Sequence, residues 1–213
     1  MRGAGMRSLL YSLPAHSAKA LALATALLTG GCSTLAGSPP PATYDLSAPR
    51  DVEARGNSRA QIMVAEPTAL QAINSDRILV HSANSQISYL PGAQWADRLP
   101  LLVQARLIQS FENAHRIGMV GRPDDKFTPD ALLVTELRDF QIDTGASPVA
   151  EVTIAARVVS QKSGRIVAAN LFSARVPAAG LAGQQASSTL DLALRKVLVE
   201  IVAWTTSKAS LAS

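Results

Sequence analysis

Three consecutive segments between Ala131 and Val176 leave this chain few folds to choose from. Residues 131–143 run Leu-Leu-Val-Thr-Glu-Leu-Arg-Asp-Phe-Gln-Ile between Ala131 and Asp143. Residues 149–161 set Val152, Ile154, Ala156 and Val158 against Glu151, Thr153, Ala155 and Arg157. Residues 165–176 follow Lys162-Ser163-Gly164, a tight-turn sequence with glycine where a positive φ is needed. Apolar and polar side chains at period two predict strands with one face on a core and one face wetter. Short connections between such strands predict an antiparallel meander.

A sheet with one apolar face needs a second layer, and two segments can supply it. Pro100 suits the first turn of a helix, where its missing N–H costs nothing. The spacing then puts Leu101, Ala105, Ile108 and Phe111 on one face, with Gln104, Arg106, Gln109 and Glu112 at polar positions. Gly118 and Gly121 mark the exit of this helix, and Met119-Val120 between them reads as the start of a short strand. After Gly180 and Gly183, Ser187 or Ser188 can cap a last helix. Its stripe is Leu190, Leu194, Val197, Ile201 and Trp204, with Arg195, Lys196 and Glu200 off the stripe.

Upstream, residues 43–46 and 61–65 read as strands, the second ended by Pro67. Residues 76–81 and 86–90 read as a hairpin around the turn residues Ser82-Ala83-Asn84-Ser85. Pro91-Gly92 is expected to end the second of these, with residues 94–97 as a lead-in turn to the helix. The expected fold class is therefore α+β: a single domain with a mostly antiparallel sheet and two amphipathic helices on one face.

Charge narrows the partners. Residues 1–31 hold Arg2, Arg7 and Lys19, three of the 20 basic residues, and none of the 16 acids. The remainder balances 17 bases against 16 acids. A nucleic-acid binder needs a strong basic footprint, so nucleic acid is not an expected partner. From Tyr44 about 170 residues remain, enough for one domain with a sizeable core.

No reactive constellation emerges. His81 ends a strand and His115 ends a helix, and neither has a second histidine or a cysteine at metal-ligand spacing. Asp124-Asp125 sits in a proline-bounded loop, and Asp76-Arg77 reads as an ion pair. Gly118-Met119-Val120-Gly121 lacks the lysine and serine of a phosphate loop. Trp95 and Trp204 read as packing anchors. No metal or cofactor is expected, and no enzymatic activity.

One residue has an evident chemical fate. Cys32, the single cysteine, follows the apolar run Ala20 to Leu28 and the small residues Thr29-Gly30-Gly31. A basic start, a short apolar core and small residues before a cut make a secretory signal. The apolar run is too short to span a bilayer. A cysteine directly after that site is what bacterial lipoprotein processing needs: its thiol takes a diacylglyceryl group and the chain is cut before it. The leucine usual three residues before the cysteine is Thr29 here, with Leu28 one place further out. The run Ser33 to Pro41 reads as a flexible tether. The expected organisation is a signal peptide over 1–31, an acylated Cys32 and tether over 32–42, a domain over 43–206 and a tail over 207–213.

Three segments resemble a known family. Ile62-Met63-Val64-Ala65-Glu66-Pro67 precedes Asp76-Arg77-Ile78-Leu79-Val80, and then comes Ile87 to Pro100 with Tyr89, the Trp95-Ala96 pair and the helix-opening proline. Together they resemble the ABC-type transport auxiliary lipoproteins, which include the lipoprotein of the paraquat-inducible intermembrane transport system. The resemblance implies a non-enzymatic periplasmic subunit of a transporter built on an ATPase, a permease and a mammalian-cell-entry (MCE) domain protein. Such systems move lipids or other hydrophobic compounds between inner and outer membranes. It also implies docking at the outer membrane, where Ser33 after the cysteine is compatible with sorting, and it leaves a homo-oligomer open. Docking favours exposed Trp, Tyr and Arg, which makes Tyr89, Trp95 and Arg98 the candidate partner-binding residues, with a loop packed on the domain's own core as the equal alternative. Two other readings stand beside it: a lipid-binding periplasmic carrier, which needs an enclosed apolar cavity between sheet and helices, and an envelope-structural lipoprotein.

Overall fold

The three long strands form as the alternation predicts: β7 (Ala131–Asp143), β8 (Val149–Ser160) and β9 (Ile166–Pro177) pair antiparallel in succession. The coordinates are a computed structural model that describes residues 39–50, 52 and 58–209. From Pro40 onward they form one compact unit.

Register follows the apolar side chains. Leu133 faces Val158, Leu137 faces Ile154, Phe140 faces Val152 and Ile142 faces Ala150. The buried positions of β7 change from odd to even numbers between Leu137 and Phe140. A bulge between Leu137 and Asp139 absorbs the extra residue and keeps Phe140 on the core side. Without it, one slipped residue would turn Phe140 and Ile142 to solvent. Gly164 closes the β8–β9 turn at φ +66°, the expected positive φ.

The far edge of β7 is shared end to end by three short strands: β2 (Gln61–Val64), β3 (Thr68–Ala69) and β4 (Arg77–His81), all parallel to it. β6 (Met119–Gly121) extends the sheet beyond β2. β5 (Ile87–Trp95) pairs antiparallel with β4, and β1 (Ala42–Tyr44) lies parallel beyond β5. The result is an open nine-stranded sheet in which the long pairings are antiparallel.

β5 departs from the sequence reading, because the strand runs through Pro91-Gly92 to Trp95. Leu79 pairs with Tyr89 but Arg77 pairs with Gln94, so β5 carries extra residues that bulge out. Pro91 and Gly92 sit in that exposed bulge. There the proline needs no ladder partner, and glycine tolerates φ +67°.

Helix α1 (Leu99–Ala114) and helix α2 (Gly183–Ala209) pack side by side on one face of the sheet, α1 over β2 and β6, α2 over β7, β8 and β9. The buried face of α1 is Leu99, Val103, Leu107, Phe111 and Ala114; of the expected face, Leu101, Ala105 and Ile108 are only half-buried. Gln104, expected to be solvated, is 5 % exposed. Its Nε2 donates to the Val64 carbonyl at 3.0 Å, which lets a polar residue face the sheet. Helix α2 buries Leu190, Leu194, Val197 and Ile201 completely, as its stripe predicts. It starts at Gly183 rather than at Ser187 or Ser188. Ser187 lies within the helix and donates to the Gln184 carbonyl at 3.1 Å.

Candidate functional site

The three residues singled out for docking converge on one loop, residues 70–76, between β3 and β4. The Tyr89 hydroxyl donates to the Ala72 carbonyl at 3.3 Å, and the Arg77 guanidinium lies 3.7 Å from the centre of its ring. The Trp95 backbone N–H donates to the Asp76 carbonyl at 2.6 Å. Arg98 reaches the same loop through Nη1, which donates to Asn74 Oδ1 at 2.7 Å. Its Nη2 donates to Glu66 Oε1 at 2.8 Å. From β5 to the first residue of the helix after it, the chain thus holds the loop by a phenol, a guanidinium and two main-chain amides, the second being the Leu99 N–H, which donates to the Ser75 carbonyl at 2.9 Å.

These residues differ in what they offer a partner. Trp95 is 1 % exposed, and its ring stands edge-on to Phe140 at 5.8 Å between centroids. It roots the segment in the core and presents no surface. Tyr89 is half-buried, while Arg98 is exposed. The largest apolar exposure in this region belongs to Leu70, at 74 %. Leu70 was not singled out by sequence, although an apolar residue between Pro67 and the turn-forming Asn74-Ser75 is a usable signal. Its carbonyl accepts from Ile73 and Asn74, so the residue sits at the head of a tight turn. Beside it Thr68, Ala69, Glu136, Leu137 and Arg138 line an open cleft of about 370 Å³. The site is a braced loop with an apolar tip, flanked by Arg98, Glu66, Glu136 and Arg138.

The other candidates lie apart. His81 Nδ1 stands 3.8 Å from Asp143 Oδ2 at the far end of β4. His115 ends α1 in a left-handed conformation, φ +50°. Asp125 accepts the Arg122 backbone N–H at 2.6 Å, which closes the proline-bounded loop on itself. Asp76 forms no ion pair with Arg77 among the described contacts, because Arg77 is turned over Tyr89. Among the described residues no three His, Cys, Asp or Glu side chains gather where they could hold a metal ion. Trp204 is half-buried and stands at 68° to Phe172, 5.5 Å between centroids. Cys32 lies outside the described residues.

The layer between sheet and helices is filled. Leu190, Leu194, Val197 and Ile201 are fully buried, as are Val152 and Val158 on the sheet, with Ile154 and Ala156 at 1 %.

The fold and the loop meet a known family at this point. The chain belongs to the ABC-type transport auxiliary lipoprotein components, whose family model matches residues 44–202. The family is described as lipoprotein components auxiliary to ABC-type transport. An uncharacterized protein of Bradyrhizobium diazoefficiens is 31 % identical over 164 residues. The match covers 76 % of this chain but only 44 % of that relative, so the chain spans less than half of the relative's length. Among solved structures, a Xanthomonas campestris protein superposes with a TM-score of 0.72 at 24 % identity. That match covers 81 % of this chain and 100 % of the other. A second crystal structure, of an uncharacterized protein, gives a TM-score of 0.55 at 11 % identity, covering 82 % and 97 %. These structural likenesses define the fold. No helix among the described residues is long and apolar enough to cross a membrane.

Proposed function

We propose that this chain is a non-enzymatic docking subunit of an MCE-type ABC transport system, lipid-anchored through Cys32 in the outer membrane and facing the periplasm. In this role it receives the end of an MCE-domain protein, and through it the permease and ATPase that drive lipids or other hydrophobic compounds between the membranes. Membership of the transport auxiliary family over residues 44–202 carries the proposal. The loop of residues 70–76 supplies the contact, with Leu70 at its tip and Arg98 and Tyr89 bracing it.

Packing supports docking over carriage. A carrier holds its acyl chain in an apolar cavity, whereas the layer between α2 and the sheet is occupied by the protein's own side chains. A filled core suits a part that must keep its shape while a partner seats against it.

The test separates anchoring from folding. Cys32→Ala is expected to release a folded domain into the periplasmic fraction and to abolish lipid transport. Retention in membranes of variant chains that have lost residues 1–31 would refute the lipid anchor. Release with transport intact would refute the need to hold the domain at a membrane.

A further inference from the structure

The domain is electrically lopsided along its strands. One end gathers residues 39–44, the β4–β5 hairpin and bulge at 82–93, the β7–β8 turn at 144–150, and the link and first turns of α2 at 177–190. The pairings place them together: β1 runs beside residues 93–95, His81 pairs with Ile87 and Asp143, Val149 pairs with Pro177, and the Ala178 N–H donates to the Pro148 carbonyl. None of these four segments contains a Lys, Arg, Asp or Glu. The ionisable groups bordering them are Arg77, whose guanidinium lies 3.7 Å from the Tyr89 ring, Asp45 and Asp191 just past the first and last segments, His81 and Asp143, 3.8 Å apart, and the Glu151–Arg175 ion pair at 2.8 Å further down the sheet. Exposed apolar side chains lie here, Ile87 at 52 % and Leu181 at 42 %.

The opposite end is charged. Arg59, Arg116, Arg122, Asp124, Asp125, Lys126 and Asp130 lie around β6 and the starts of β2 and β7, where Ser58 donates to the Arg116 carbonyl and Gly118 to that of Ala60. The β8–β9 turn, with Lys162 and Arg165, joins them, because Gln161 donates to the Asp130 carbonyl.

We propose that the uncharged end rests on the lipid bilayer surface, with Ile87 and Leu181 dipping into the interface. The proposal rests on acylation of Cys32. Two observations choose a bilayer as the occupant. The chain enters the domain at this end through β1, and Cys32 precedes Ala42 by ten residues, a reach of at most about 35 Å when fully extended. An acylated Cys32 therefore keeps this end close to the membrane. Second, bringing a surface to the headgroup boundary strips water from it. That costs little for Ser, Thr, Asn, Gln, Gly and Pro beside exposed Ile and Leu, and much for unpaired charges. With no basic residue in its four segments, and with the neighbouring Arg77 guanidinium engaged by the Tyr89 ring, this end gains little from anionic lipid, so the contact is mainly apolar and only weakly dependent on salt.

The experiment uses the full acylated chain in phosphatidylethanolamine/phosphatidylglycerol vesicles. Single cysteines are introduced at exposed positions and labelled with an environment-sensitive fluorophore: Ile87→Cys and Leu181→Cys at one end, Lys126→Cys and Ser163→Cys at the other. Acylation leaves Cys32 without a free thiol. With nitroxide-bearing lipids in the vesicles, labels at 87 and 181 are expected to be quenched several-fold more than those at 126 and 163, with little change between low and high salt. Equal quenching at both ends, or stronger quenching at 126 and 163, would overturn the orientation while the protein still floats with the vesicles. Failure to float would remove the anchor, and the proposal with it; flotation therefore tells the two failures apart. Labels at 87 and 181 that are shielded only when a partner protein is added, and never by lipid, would assign this end to that protein instead.

Discussion

Trp95 and Arg98 stand three positions apart, yet their physical roles are opposite. Truncating Trp95 to alanine empties a fully buried site against Phe140 and is expected to cost about 3–5 kcal/mol in chemical denaturation. Arg98 makes exposed bonds to Glu66 and Asn74, and such pairs contribute at most about 1 kcal/mol. Arg98→Ala should therefore leave the unfolding midpoint nearly unchanged while weakening capture of a docking partner; a large drop in stability would make it a structural brace alone. Gln104 belongs to the core despite its chemistry. Gln104→Leu leaves the Val64 carbonyl without its donor and should lower stability by about 1–3 kcal/mol, with an unchanged denaturant slope. Sequence makes Trp95 visible as an anchor because large aromatics seek burial. Gln104 was hidden because its partner is a backbone carbonyl 40 residues away, which no local pattern encodes.

Helix α2 is the element whose sequence most directly states its environment. Its apolar stripe is broad and its polar face carries Arg195, Lys196 and Glu200, so periodicity alone orients it. Leu194→Ala on the buried stripe is expected to cost about 2–5 kcal/mol. Leu192→Ala, 43 % exposed on the same helix, should stay within about 0.5 kcal/mol. Equal effects in thermal or urea unfolding would mean that the stripe does not face the sheet. Helix α1 was harder to orient because leucine, valine and alanine occupy most of its circumference, leaving several plausible faces. The long strands were legible from alternation, and even the β7 bulge leaves a trace in the shift of apolar positions from Leu137 to Phe140. The parallel alignment of β2, β3 and β4 along one edge of β7 was not legible. Each makes only two or three paired positions, and their placement depends on contacts distant in sequence.

Across the whole molecule, three surfaces divide the work. The helix-covered face closes a filled core, the loop of residues 70–76 offers a braced apolar tip, and the uncharged end lies where the chain arrives from Cys32. The α+β class and the two-helix layer could be read from periodicity, whereas acylation of Cys32 is a proposal resting on the signal-like run before it. The loop proposed for docking could not be found in the same way, because its shape depends on four hydrogen bonds, from Tyr89, Trp95, Arg98 and Leu99, in a segment about 20 residues downstream. The family is described as auxiliary to ABC-type transport, and the MCE partner is the central proposal. The most direct measurement is affinity purification of the full chain from detergent extracts after cross-linking in intact cells. The account predicts that an MCE-domain protein, together with a permease and an ATPase, is recovered with the parent chain and lost when Leu70 and Arg98 are replaced by Glu. Recovery of an ABC permease and ATPase with no MCE-domain protein, or of none of these even after cross-linking, would contradict it.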